Sequence, residues 1–174
     1  MTLPTQSAAS RLCAACGICC TGVMFHNVRI QSNDAWRELV AFGLKLKRKH
    51  SEQFTQQPCP AYRESQCAIY PQRPVRCQLF TCRQLQRVAV GKVSESEALE
   101  KINEVVDRVA LVEELLHASG KTDPQKPLAK RYEKITAEPV DLSGDPHAVE
   151  LRGQLLHAMQ ALEELLAKDF RPSS

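Results

Sequence analysis

The sequence predicts a mainly α protein with two unlike parts: a cysteine-rich, irregular N-terminal module and a C-terminal helical hairpin. Three observations predict it. All eight cysteines lie between Cys13 and Cys82, and the last 92 of the 174 residues carry none. Residues 51–83 show no sustained period and hold Pro58, Pro60, Pro71 and Pro74, which interrupt any long element. Beyond Ser94, apolar residues recur at threes and fours over two long stretches, which is the period of an amphipathic helix.

Taken in order, residues 1–12 read as a loose polar lead. The run "RLCAACGICCTG" follows, with Gly17 and Gly22 allowing tight turns in a flexible loop. Residues 22–31, "GVMFHNVRIQ", are rich in β-branched and aromatic side chains and predict a short strand. Residues 32–50 predict a helix. Ser32, Asn33 and Asp34 supply a cap, and Trp36, Leu39, Val40, Phe42 and Leu46 recur near helical spacing, with Gly43 the weak point. "KLKRKH" would then be a solvated helix end favoured by the helix dipole.

The second half is more regular. Ser94 and Glu97 make an S-x-x-E capping box ahead of a stripe running from Leu99 through Ile102, Val105, Val106, Val109 and Val112 to Leu116. Gly120 stands where that helix would stop. Pro124 and Pro127 mark a loop, and residues 128–137 a short helix. Asp145 as N-cap with Pro146 in the first turn opens a third helix, lined by Leu151, Leu155, Met159, Leu162, Leu165 and Leu166. The expected organisation is a module over residues 11–92 and a helical extension over 93–174 packed on it.

Charge divides at the same place. Residues 1–92 carry 13 Lys+Arg against 4 Asp+Glu, a balance of +9; residues 93–174 carry 10 against 16, a balance of −6. A hydrophobic share of 43% and a charged share of 25% suit a water-soluble globular chain. No apolar run approaches the roughly 18 residues of a membrane helix. The opening "MTLPTQSAASRLC" has no basic start followed by an apolar stretch, so a cytoplasmic protein with reduced thiols is expected.

Reduced cysteines in this density are metal ligands. Cys13-x-x-Cys16-x-x-Cys19 lets three sulfurs converge, a spacing suited to an iron–sulfur cluster or to part of a zinc site. Cys20 cannot share its neighbour's direction in extended chain, so it serves a second centre or is a non-ligand thiol. Cys59, Cys67, Cys77 and Cys82 follow at wider gaps. Soft thiolates select zinc, iron–sulfur or copper(I). Such a centre would also hold a stretch of 33 residues that no ladder holds, so the N-terminal module is expected to be metal-organised. Arg11, Arg63, Arg73, Arg76 and Arg83 lie near cysteines in sequence and are expected to lower thiol pKa values. Four disulfides are the competing use of eight cysteines; a reduced compartment and the poor bridging of adjacent cysteines weigh against it. For Cys20 and Cys82 the competing reading is a buried apolar residue.

These residues resemble the YkgJ-type cysteine-cluster family, a CxxCxxCC domain described as chelating zinc or iron. Its hallmark is matched by Cys13, Cys16, Cys19 and Cys20, then Cys59, then Cys67, Ile69, Tyr70, Arg73, Pro74 and Cys77. The likeness covers residues 11–82, with Cys82 outside the core pattern. It implies metal chelation by these cysteines and no particular reaction. Tyr70 and Arg73 are expected beside the cofactor, orienting ligands.

The leading expectation is thus a metal-binding protein holding zinc or an iron–sulfur cluster through Cys13, Cys16, Cys19, Cys20, Cys59, Cys67, Cys77 and Cys82. Two alternatives stand beside it: an iron–sulfur oxidoreductase or electron-transfer accessory subunit, and a structural zinc module whose acidic helical half docks a protein partner. Nucleic acid is disfavoured, since no stacking aromatics accompany the basic run. His26 and His50 read as ordinary histidines, and Glu114 with His117 forms one E-x-x-H where a di-iron bundle needs two. No phosphate loop, G-x-S-x-G or H-E-x-x-H occurs.

Overall fold

The computed structural model describes residues 7–120, 122–139 and 145–172. Among these, seven α-helices and two small antiparallel sheets alternate along the chain. The first helix, α1 (Ala8–Cys16), begins inside the expected polar lead. Ser7 caps it by accepting the Ser10 N–H at 3.2 Å. The segment "AASRLCAAC" is rich in alanine, the best helix former, so a cap suffices to start it. Gly17, at φ +63°, ends it in the left-handed turn that L side chains resist. Cys13 and Cys16 therefore stand on a helix rather than in a flexible loop. Residues 1–6 of the expected lead lie outside the described residues.

The strand expected over 22–31 is present as β1 (Asn27–Ile30). The helix expected over 32–50 is not continuous. It forms only as α2 (Trp36–Ala41), and the basic run pairs instead as the strand β2 (Leu46–Lys49). Gly43 at φ +93° turns the chain, and β2 then runs antiparallel to β3 (Glu52–Gln56), in a sheet of order β1-β3-β2. Pairing supplies the backbone bonds a helix would have made, and lysines are well tolerated on an edge strand. Leu39 and Leu44 are buried, while Trp36, Val40 and Phe42 stay nearly half exposed, so the expected apolar stripe is not a core face.

Residues 51–83 hold more regular structure than their prolines suggested. Besides β3 there is a two-stranded hairpin, β4 (Tyr62–Arg63) with β5 (Gln66–Cys67), whose turn residues Glu64 and Ser65 both have positive φ. That is the primed turn whose twist matches a hairpin. Two short helices follow, α3 (Val75–Leu79) and α4 (Arg83–Ala89). Asp34 is buried between α3 and the end of β1. Its carboxylate accepts the Gln31 N–H at 2.6 Å and the Val75 N–H at 2.7 Å, which fixes the start of α3 against the end of β1.

The later helices match expectation: α5 (Glu95–Ser119), α6 (Leu128–Ala137) and α7 (Pro146–Leu165), the last widening into a π turn over Leu166–Phe170. Ser94 and Glu97 form the full capping box, and Asp145 accepts the His147 N–H at 2.9 Å. The α5 stripe is shifted: Ala98 is buried, whereas Leu99 and Val106 are exposed. Helices α5 and α7 pack along each other, and α1 packs on α5. The main core joins Leu12 and Ile18 from the front of the chain to Val105, Leu116, Leu162 and Phe170 from the back. A smaller cluster of Ile30, Leu39, Leu44, Ala61 and Ile69 sits under the sheet and hairpin.

Candidate metal centre

Helical spacing sets the first candidate ligands. Residues three apart on a helix are neighbours, so Cys13 and Cys16 lie on one side of α1. Gly17 then reverses the chain: its N–H reaches the Cys13 carbonyl at 3.0 Å, and its carbonyl accepts the Cys20 N–H at 2.8 Å. Cys16 and Cys19 pack against the main core. Cys59 and Cys67 pack against the smaller one. A single backbone bond carries the second run to the first, from the Cys59 N–H to the Cys20 carbonyl at 2.8 Å. The hairpin pairs Tyr62 with Cys67, Cys77 lies in α3, and Cys82 precedes α4. All eight cysteines are free thiols.

Their mutual electrostatics separates them. Cys13, Cys16, Cys19 and Cys82 act on one another. Cys20, Cys59, Cys67 and Cys77 do likewise. The two sets touch where Cys19 meets its chain neighbour Cys20 and where Cys13 acts on Cys20. They cut across the two sequence runs: Cys20 leaves the first, and Cys82 joins it. Adjacent side chains point apart, which is why one vicinal pair serves two neighbourhoods.

Burial raises the pKa values of Cys13, Cys16, Cys19, Cys20, Cys59, Cys77 and Cys82, and neighbouring thiolates add to it at all of these but Cys82. Cys16 and Cys77 are each pushed up to about 12 from an ordinary 9.0, and Cys19 and Cys20 also go up. This corrects the expectation that nearby arginines lower them. Arg73 does lower Cys13 and Cys77, but burial outweighs it. Of the other arginines, Arg11 pairs with Glu95 at 2.7 Å, Arg63 donates to the Pro60 carbonyl, and Arg83 donates to the Lys168 carbonyl.

Tyr70 and Arg73 sit among the thiols. The Arg73 guanidinium lies 3.8 Å from the Tyr70 ring centre, and both residues favour the ionised form of Cys13. Two further residues escaped sequence reasoning. The Tyr62 hydroxyl rests on Gly17 and feels both Cys20 and Cys16. Asp34 acts on Cys77 as well as holding α3. An aromatic three residues after Cys59 was the only signal for Tyr62, and Asp34 gave none beyond its place as a helix cap.

The donors fit a soft cation in kind and number: four free thiols in each set. Among the described residues, no three His, Cys, Asp or Glu side chains are already gathered closely enough to hold an ion. The five histidines and the Glu114–His117 pair thus form no such group either.

A family model described as "CxxCxxCC: Putative zinc- or iron-chelating domain" matches residues 12–104, more than half of the chain. The chain belongs to the CxxCxxCC family. Its cofactor class is zinc or iron, the class its thiols select. The match takes in all eight cysteines of this CxxCxxCC protein and runs past α4 into α5. No curated protein and no solved structure matches the chain. Among its described residues, no helix is long and apolar enough to cross a membrane.

Proposed function

We propose that this protein holds two metal centres, one through Cys13, Cys16, Cys19 and Cys82 and one through Cys20, Cys59, Cys67 and Cys77. The observation that carries the reading is the sorting of eight free thiols into two mutually interacting sets of four. Four thiolates complete a tetrahedral zinc site or the ligation of an iron–sulfur cluster. Each set draws on separate segments: α1, its following turn and the start of α4 for one; the turn, the hairpin and α3 for the other. Closing the first set ties α1 to α4 beside the main core, and closing the second ties the turn after α1 to the hairpin and α3, so the chief role is to organise residues 11–92 in a reducing cytoplasm, with residues 93–174 packed on them. The thiols move inward as they bind, and each gives up its proton.

Anaerobic purification followed by elemental analysis and visible absorption tests this. Two zinc ions in a colourless protein, or two clusters in a brown one, is the expected result. Cys16→Ser and Cys67→Ser should each remove one centre and leave the other. A metal-free wild type that is fully folded, or a single substitution that empties both centres while the fold persists, overturns the reading.

A further inference from the structure

The three-stranded sheet turns one face to the core and the other to water. Val28 and Ile30 of β1 and Thr55 of β3 are buried, and Leu44 and Leu46 pack on the smaller core. Side chains alternate along a strand, so the residues between these face outward. Register places Arg29, Phe54 and Lys47 in one row across that outer face, with Phe54 on the central strand. Two diagonal contacts on the same face agree with it. Lys47 Nζ donates to Gln56 Oε1 at 2.7 Å, and Arg29 pairs with Glu52 at 3.0 Å. Phe54 lies between Glu52 and Gln56 in β3 and is partly exposed. Along the edge, Lys45, Lys47 and Lys49 are all exposed on this side, spaced about 7 Å apart by the rise of two strand residues.

An edge strand guarded against aggregation needs lysines and nothing more. Here the lysine row borders an aromatic ring and a guanidinium on two further strands, which edge protection does not require. Among the described residues of this face, four cations stand against one acid, Glu52, and Arg29 already engages that acid. The basic run holds no aromatic in sequence, but cross-strand pairing brings one to it. Cations for phosphates beside a ring for a base make a surface suited to a single strand of nucleic acid. A duplex keeps its base faces stacked away from such a ring. An acidic peptide uses the lysines and leaves the ring idle. A lipid surface calls for several apolar side chains to insert, and Phe54 is the one apolar side chain among the described residues of this face.

We infer that the outer face of this sheet binds single-stranded nucleic acid, with Phe54 stacking on a base and Lys45, Lys47 and Lys49 following the phosphates. The surface lies on the side of the sheet away from the smaller core and does not depend on which ion the thiols hold.

The test is fluorescence anisotropy of a labelled, mixed-sequence single strand of about 12 nucleotides, once as RNA and once as DNA, titrated with the full chain purified without oxygen. Either strand should bind more tightly than the duplex of the same sequence, and the tighter of the two names the natural class. The logarithm of affinity should fall with the logarithm of salt at a slope of about −2, for three phosphates at about 0.7 each. Phe54→Leu should weaken binding about tenfold with the slope unchanged. Lys47→Gln should reduce the slope by about 0.7. Arg48→Gln removes the same charge from the same strand but on its other side, and should change neither quantity. Melting curves of each variant check the fold, and Lys47→Gln, at an exposed side chain, still decides the matter if Phe54→Leu unfolds. Absence of binding to both strands overturns the inference, as does a duplex bound equally well. Full affinity in a folded Phe54→Leu protein, or an Arg48→Gln loss equal to that of Lys47→Gln, reduces the face to general attraction for polyanions and overturns it too. Polyglutamate or phosphatidylserine vesicles bound more tightly than either strand would hand the surface to an acidic protein or a membrane instead.

Discussion

At Gly17 a methyl group has nowhere to go. The residue has φ +63°, and a Cβ there would come within 2.0 Å of the Tyr62 hydroxyl. The left-handed conformation alone costs a non-glycine residue about 1–2 kcal/mol, and moving Tyr62 adds to it. Gly17→Ala should therefore destabilise the metal-free, reduced protein by about 2 kcal/mol or more, read as a lower denaturation midpoint. The thiols make a second residue-scale prediction. Unfolded cysteines lose their protons near 9.0, while buried Cys16 and Cys77 keep theirs to about 12. Between those values the unfolded chain binds fewer protons than the native one, so stability falls as pH rises. Below 9 the thiols contribute no slope. Thermal melts of the metal-free protein over that window check the sign, and a rise in stability would refute it. Metal affinity should run the other way and weaken as pH falls, because every ligand must first lose a proton. The candidate ligands were legible in sequence because cysteine is rare and its spacing is short. Which cysteine joins which set was not. That depends on the Cys59–Cys20 backbone bond and on the separate cores under Cys16 and Cys67, which no local spacing encodes.

At the scale of elements, legibility followed length and capping. Helix α5 was readable because 25 residues keep one period behind a capping box. Ser94→Ala removes the side chain that accepts the Glu97 N–H and should cost about 1 kcal/mol, with metal content unchanged, which calorimetry and elemental analysis together would verify. Loss of metal in that variant would mean that the helical part governs the centres more directly than the fold suggests. Shorter elements were lost to tertiary context. The pattern of residues 32–50 fits a helix until Gly43, after which strand pairing with β3 wins over helical period. Helix α1 was hidden because its cap, Ser7, sits in a stretch that reads as polar lead. The helices α3 and α4, at five and seven residues, are too short to display a period at all.

Over the whole molecule, the two charge-opposed halves meet through specific contacts. Arg11 on α1 grips Glu95 at the start of α5 with two bonds, Nε at 2.8 Å and Nη2 at 2.7 Å. That pair is exposed to water, and its removal should matter little. The contact at the other end differs. Asp169, in the π turn after α7, is buried and holds Arg87 of α4 at 2.9 Å, while Gln84 donates to the Asp169 carbonyl at 3.0 Å. Helix α4 starts directly after Cys82, so this latch fixes the one member of the first thiol set that lies far from the others in sequence. Arg87→Met keeps most of the side-chain volume but leaves a buried carboxylate without its partner. Because Arg87 is partly open to solvent, the cost should be about 1–3 kcal/mol, below that of a fully buried pair. The loss should also be local. Of two bound zinc ions, the one held with Cys82 should pass to a competing chelator faster, and the one held with Cys67 at its ordinary rate. Equal acceleration of both would show that the C-terminal helix steadies the thiol-bearing part as a unit and that Cys82 has no special dependence on it.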